Sequence, residues 1–116
     1  MISGTVNQNG VPEVTIQVAG QSWPAIIDTG FNGDLELPVA LFPILSPVFR
    51  GRIQSLLAAG QNIVQDYYDV NFPFDGRTLS AEATFTPSAE VLIGTHFLRA
   101  YRLAVDFPAQ TVELDR

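Results

Sequence analysis

One tripeptide carries the clearest chemical signal in this 116-residue chain: Asp28-Thr29-Gly30, directly after the apolar run Ala25-Ile26-Ile27. A carboxylate at the end of an apolar strand is costly unless something partners it. One chemistry suits such a group. Two carboxylates held about 3 Å apart cannot both ionise, so they share a proton. The charged member then acts as general base toward a bound water, and the neutral member donates to a substrate oxygen. The chain has one Asp-Thr-Gly, so if both carboxylates come from such a triplet, the site is built by pairing two chains. The plainer reading of Asp28 is an Asx-turn, with the side chain bonded to its own backbone.

Composition narrows the classes. The length fits one domain, residues 1–116, with 47% hydrophobic residues. The formal charge is −6, from 12 acidic residues and 6 basic ones, all Arg. No basic cluster exists beyond Arg50 and Arg52, so no nucleic-acid partner is expected. There is no cysteine, which excludes disulfides, thiolate metal sites and a cysteine nucleophile. The start, Met1 to Val6, lacks a basic segment and an apolar core, and Val39–Phe49 is too short to span a bilayer. The expectation is a soluble, cytoplasmic protein with no membrane, metal or cofactor.

The elements that must position Asp28 read as short strands. Ile2–Val6 is a strand, and Asn7-Gln8-Asn9-Gly10 is a turn. Val14, Ile16 and Val18 alternate with polar residues, and a turn at Ala19-Gly20-Gln21 leads into Trp23–Asp28. Leu35-Glu36-Leu37 is a short strand stopped by Pro38, and Val39–Leu45 allows a helical turn limited by Pro43. Ile53–Leu57 and Ile63–Tyr68 form a projecting hairpin around Ala59 and Gly60. Val70, Phe72 and Phe74 alternate, with Pro73 marking an edge. Asp75-Gly76 is a hairpin turn into Arg77–Thr86, whose Leu79, Ala81, Ala83 and Phe85 share a face. Val91-Leu92-Ile93 is apolar throughout, which suits a strand buried on both faces. Thr95 is placed to cap a short helix through Ala100. Leu103–Phe107 and Thr111–Leu114 complete about nine strands in an all-β, barrel-like domain.

Taken together, these residues resemble the retropepsin-like aspartic peptidases, in their small prokaryotic branch. The resemblance rests on Asp28-Thr29-Gly30-Phe31-Asn32-Gly33, then Leu35-Glu36-Leu37-Pro38, the hairpin around Gly60, and Leu92-Ile93-Gly94-Thr95-His96-Phe97-Leu98 followed by Leu103–Phe107. It covers the chain from about Val14 to Leu114. It implies a closed barrel of short strands with a flap hairpin and one short C-terminal helix. It also implies a homodimeric endopeptidase that cuts extended polypeptide segments with Asp28 from each chain and an activated water. By the same resemblance Thr29 locks the two loops together, Gly30 permits the sharp turn, and Asn32 binds substrate backbone. Ala59 and Gly60 form the flap tip, and Phe31, Leu57, Ile63 and Ile93 wall the substrate pockets. The alternative is a non-catalytic dimeric peptide-binding or regulatory module on the same fold, suggested by Phe31 beside the triplet and the single glycine at the flap tip.

Other candidates have plainer readings. His96, the only histidine, meets no partner at ligand spacing and reads as a surface residue. Asp34 and Glu36 read as solvated edge charges, and so do Asp66 and Asp69. Asp106 reads as a turn former. Trp23, Tyr67 and Tyr68 read as packing or interface residues. Arg99 and Arg102 are candidates for the subunit contact.

Overall fold

The computed structural model describes residues 1–56 and 59–116. It has ten strands: β1 Ile2–Val6, β2 Pro12–Val18, β3 Gln21–Ile27, β4 Leu35–Pro38, β5 Val48–Leu56, β6 Asn62–Phe74, β7 Arg77–Thr86, β8 Val91–Ile93, β9 Arg102–Asp106 and β10 Thr111–Asp115. A 3₁₀ turn at Val39–Leu41 runs into the short helix α1, Phe42–Leu45. Pro43 lies in its first turn, where a missing N–H is harmless.

All ten strands join one sheet, in the order β5-β6-β7-β4-β8-β3-β2-β1-β10-β9. The all-β expectation holds, but the closed barrel does not. β5 and β9 end the order and do not pair with each other. The sheet instead curls until β2 packs against β6 across the core. β5 and β6 continue together as a hairpin beyond Tyr68, where the pairing of β6 with β7 stops. The paired arms run from Val48↔Asp69 to Leu56↔Asn62, with an irregularity between Phe49 and Gly51. Alternation within Val48–Arg50 is weak, so the sequence showed only the distal half of this hairpin.

Packing follows the period-two pattern. Val14, Ile16 and Val18 on β2 are buried, with Thr15 and Gln17 exposed between them. Phe72, Leu37, Ile93 and Leu114 are wholly buried in one continuous cluster. Each such side chain contributes roughly 1.5–3 kcal/mol from burial. Phe97 closes the core's end, edge-on to Phe72 and Phe74 at ring separations of 6.0 and 5.0 Å. Asp75 and Gly76 have φ of 56° and 69°, as a tight turn with two left-handed residues demands. Pro73 sits where β6 has outrun β5, so its missing N–H faces an unpaired edge.

The expected C-terminal helix is a run of turns over residues 95–100. Leu98 N–H donates to Gly94 O (3.3 Å), while Arg99 to His96 (3.3 Å) and Tyr101 to Leu98 (2.8 Å) are three-residue bonds, so no α ladder propagates. Thr95 does not cap it. Its N–H (2.8 Å) and its hydroxyl (3.3 Å) both donate to Phe31 O.

Those bonds belong to the crossing that organises the molecule. β8 lies between β3 and β4, parallel to β3 and antiparallel to β4. The segment 28–34 joining β3 to β4 must therefore pass over the end of β8. Asp28 N–H donates to Ile93 O (3.0 Å), and Gly94 N–H donates to Asp34 O (2.9 Å). The approach at Gly94 leaves no room for a side chain. A Cβ there would lie 2.1 Å from Gly33 O and 2.8 Å from Phe31 O. Gly94→Ala should therefore lower stability by about 1–3 kcal/mol, the scale of overpacking. Thermal unfolding checks this: a fall of several degrees is expected, and an unchanged midpoint would show that the crossing is looser than described.

Candidate active site

Asp28 is the first residue beyond β3, half-buried, with its N–H tied to β8. Its carboxylate Oδ1 accepts the Gly30 N–H at 2.9 Å, and its carbonyl accepts the Phe31 N–H at 3.1 Å. The Asx-turn reading is thus correct as local geometry, and it fixes one carboxylate oxygen. Gly30 does not adopt a left-handed φ. A Cβ there would lie 3.3 Å from Asp28 Oδ1, so glycine keeps that oxygen uncrowded while donating to it. Thr29 and Asn32 are exposed.

A cleft of about 410 Å³ opens beside this loop, under the β5–β6 hairpin. Phe31 and Gly33 line it from the loop, Glu36 from β4, Thr84 from β7, and Ile53, Leu56, Ile63 and Tyr67 from the hairpin. Phe31 and Ile63 therefore both face this cleft. Leu57 lies outside the described residues. Ala59 and Gly60 are exposed at the hairpin tip and do not line the cleft.

Ile93 is a correction. It is wholly buried, because it pairs with Ile27 and shares that residue's core-facing side. The half-buried Leu92 takes the opposite face, paired with Ile26 and Glu36. An unbroken apolar triplet gives no clue to which residues face inward. The neighbours on β3 and β4 decide it.

Asp34 and Glu36 are the residues the sequence reading undervalued. Glu36 is on β4, an interior strand between β7 and β8, and Asp34 directly precedes that strand and bonds to β7, so neither is an edge charge. The Asp34 side chain is only 9% exposed. Its Oδ2 accepts the Glu82 N–H at 2.9 Å, and its Oδ1 pairs with His96 Nδ1. His96 is exposed as expected, yet it secures the crossing from the far side of Gly94. Glu36 differs. Among the described residues its carboxyl has no hydrogen bond or ion pair. Burial, and then the nearby Asp28 charge, push its pKa above the usual glutamate value.

The smaller expectations divide. Asp106 Oδ1 accepts the Ala109 N–H (3.1 Å), the expected turn. Asp66 and Asp69 pair with Arg52 and Arg50 along the hairpin. Tyr68 packs with Phe42, Phe49 and Phe85. The Trp23 indole N–H is buried without a partner among the described residues. Arg99 turns back to His96 O at 2.7 Å. Among the described residues no group of three or more His, Asp or Glu side chains could hold a metal ion, and no helix is long and apolar enough to cross a membrane.

The fold has solved counterparts. A retropepsin-like aspartic protease from Rickettsia conorii superposes with a TM-score of 0.69 at 16% identity, over 97% of this chain and 88% of that one. The simian foamy virus protease gives 0.58 at 20% identity, over 75% and 91%. A foamy viral protease-reverse transcriptase gives 0.64 at 24% identity; the match covers 86% of this chain but only 14% of that one. No protein-family profile and no curated protein matches the sequence. The chain therefore has a retropepsin-like fold, the fold of solved aspartic proteases.

Two expectations follow from the carboxylates. Asp34→Ala leaves the Glu82 N–H and His96 without their acceptor and should cost about 1–3 kcal/mol. Denaturant unfolding measures it, and a neutral result would mean that water replaces the carboxylate freely. Glu36 behaves oppositely. Its raised folded pKa means that the folded state holds a proton the unfolded state has released. Stability from this group is full below the ordinary glutamate pKa and is lost as pH rises through the raised value. Glu36→Gln should therefore gain stability relative to wild type on going from pH 4 to pH 7. A stability difference that is flat with pH would contradict the shift.

Proposed function

We propose that the protein is a homodimeric aspartic endopeptidase acting on extended polypeptide segments. The observation that carries this reading is the clamped Asp28 carboxylate at the end of β3, beside a cleft covered by a hairpin. The retropepsin-like fold supports it, since its solved examples include aspartic proteases.

In this reading Asp28 from each chain meets on a two-fold axis. The two carboxylates share one proton and hold a water between them. The charged member takes a proton from the water as its oxygen attacks the peptide carbonyl carbon. The other gives its proton to the carbonyl oxygen, forming a neutral tetrahedral diol. Proton transfer to the amide nitrogen then lets the C–N bond break. The Asp28–Gly30 bond leaves Oδ2 as the oxygen available to the water. The β5–β6 hairpin acts as the flap, pairing with an extended substrate and excluding solvent. Thr29 serves the contact between the two loops, and Asn32, with the tip residues Ala59 and Gly60, addresses substrate backbone.

The pairing surface is drawn from the Asp28 loop and the turns at 95–100. Both terminal strands already have partners within the chain: β1 lies between β2 and β10, and β10 between β1 and β9.

Asp28→Asn should leave the fold and the oligomeric state intact. It should lower peptide cleavage by at least about 10²–10⁴-fold, the worth of general acid–base catalysis. Wild-type activity should fall on both sides of a pH window, because the pair titrates in two steps. Undiminished cleavage by the Asn variant would end the proposal. The second reading, a peptide-binding or regulatory module without turnover, draws on Phe31, which lines the cleft next to the triplet. A statine-type transition-state mimic separates the two. A peptidase binds it less well once the shared proton is lost at high pH, whereas a module binds it without that dependence.

A further inference from the structure

We propose that Glu36 is a specificity-determining residue that makes the cleft accept a basic side chain, Arg or Lys, from the bound polypeptide. The proposal rests on the reading of this cleft as a peptide channel and adds the substrate class.

Glu36 is placed by the sheet, with Leu37 and Leu35 buried on either side of it along β4. It stands opposite Leu92 on β8 and Thr84 on β7, so it projects from the floor of the cleft. A half-buried carboxylate without a partner carries an uncompensated desolvation cost. That cost is relieved when an occupant brings a positive charge. Two other acidic residues line the cleft: both Asp34 oxygens are already engaged, and Glu82 is exposed on β7, where water already solvates its charge. Among the described residues, no Arg lines the cleft. The walls suit the remainder of such a side chain. Ile53, Ile63 and Tyr67 offer apolar surface to the methylene stem of Arg or Lys, while the charged head reaches Glu36. The raised Glu36 pKa agrees with a carboxylate that lacks a counter-charge. A metal ion is a poor fit as the source of that charge, because no set of three or more donor side chains converges among the described residues.

The test uses the full-length chain and a set of apolar octapeptides in which one Arg is scanned along the sequence, each paired with a norleucine peptide of the same length. Binding is measured on the Asp28→Asn protein by fluorescence anisotropy, and kcat/KM on the Asp28 protein. At one position Arg should be preferred by about tenfold, the scale of one hydrogen bond to a charged group. Glu36→Gln should bring that ratio close to one, and Glu36→Asp should keep part of it. A merely structural role for Glu36 would alter both peptides of a pair alike. A ratio near one in wild type, or a ratio unchanged by Glu36→Gln, overturns the proposal. Cleavage without the preference sinks the proposal and leaves the peptidase reading standing. Preferential binding without cleavage at any pH supports the proposal and removes the peptidase reading. Absence of binding by every peptide at millimolar concentration overturns both.

Discussion

The structure depends on one topological constraint: β8 is inserted between the two strands that the Asp28 loop connects. A connection between adjacent strands could be short and mobile. This one has to cross the end of a third strand, and its backbone polar groups must find partners there. They find them in Ile93 O, Gly94 N–H and the Thr95 N–H and hydroxyl. The result is a loop held along its length, with Asp28 at its start. Loops positioned by a rigid scaffold are where function concentrates, and here the scaffold reaches into the loop itself.

Asp34 extends that constraint through a side chain. Its carboxylate bonds to Glu82 on β7 and to His96 in the turn after Gly94. Three segments far apart in sequence thus meet at one nearly buried acid. Removing such an acceptor costs more than the net worth of its bonds, because the donors are left unmatched. Glu36, two residues on and inside β4, has no comparable partners among the described residues. The contrast separates a carboxylate that serves the fold from one that is free to serve a ligand. Sequence spacing alone treats the two as equivalent.

Much of this was legible from residue types. Alternation placed β2, the end of β6 and β7, and the Asp75-Gly76 turn was readable because few residues tolerate two consecutive left-handed conformations. Asp28-Thr29-Gly30 pointed to the loop. What was not legible depends on contacts between distant segments. Closure of a barrel is decided by whether the first and last strands of the order meet, and here β5 and β9 stand at opposite ends with no shared ladder. The Thr95 hydroxyl has a local use as a cap and a distant one on Phe31 O, and nothing local says that the distant one wins. The same holds for Ile93 and Leu92, whose facing is set by Ile27 and Glu36 across the ladder.

Charge ties the fold to the proposed chemistry. Each chain carries a formal −6, so a pair of chains carries twice that, −12. In the proposed dimer, two Asp28 side chains on an axis would add like charges close to the cleft that Glu36 lines, and Glu36 already feels the Asp28 charge. Such an arrangement is tolerable in only a few ways. The Asp28 pair can share a proton, which halves its charge. Glu36 can hold its own proton, which its partly buried position favours. Or an occupant can supply the missing positive charge. The first gives the general acid and the general base that amide hydrolysis needs. The third gives a reason for a substrate to bind more tightly than water does. An acidic chain with this floor is thus under a single electrostatic pressure, and both the proposed catalysis and the proposed selectivity are ways of relieving it.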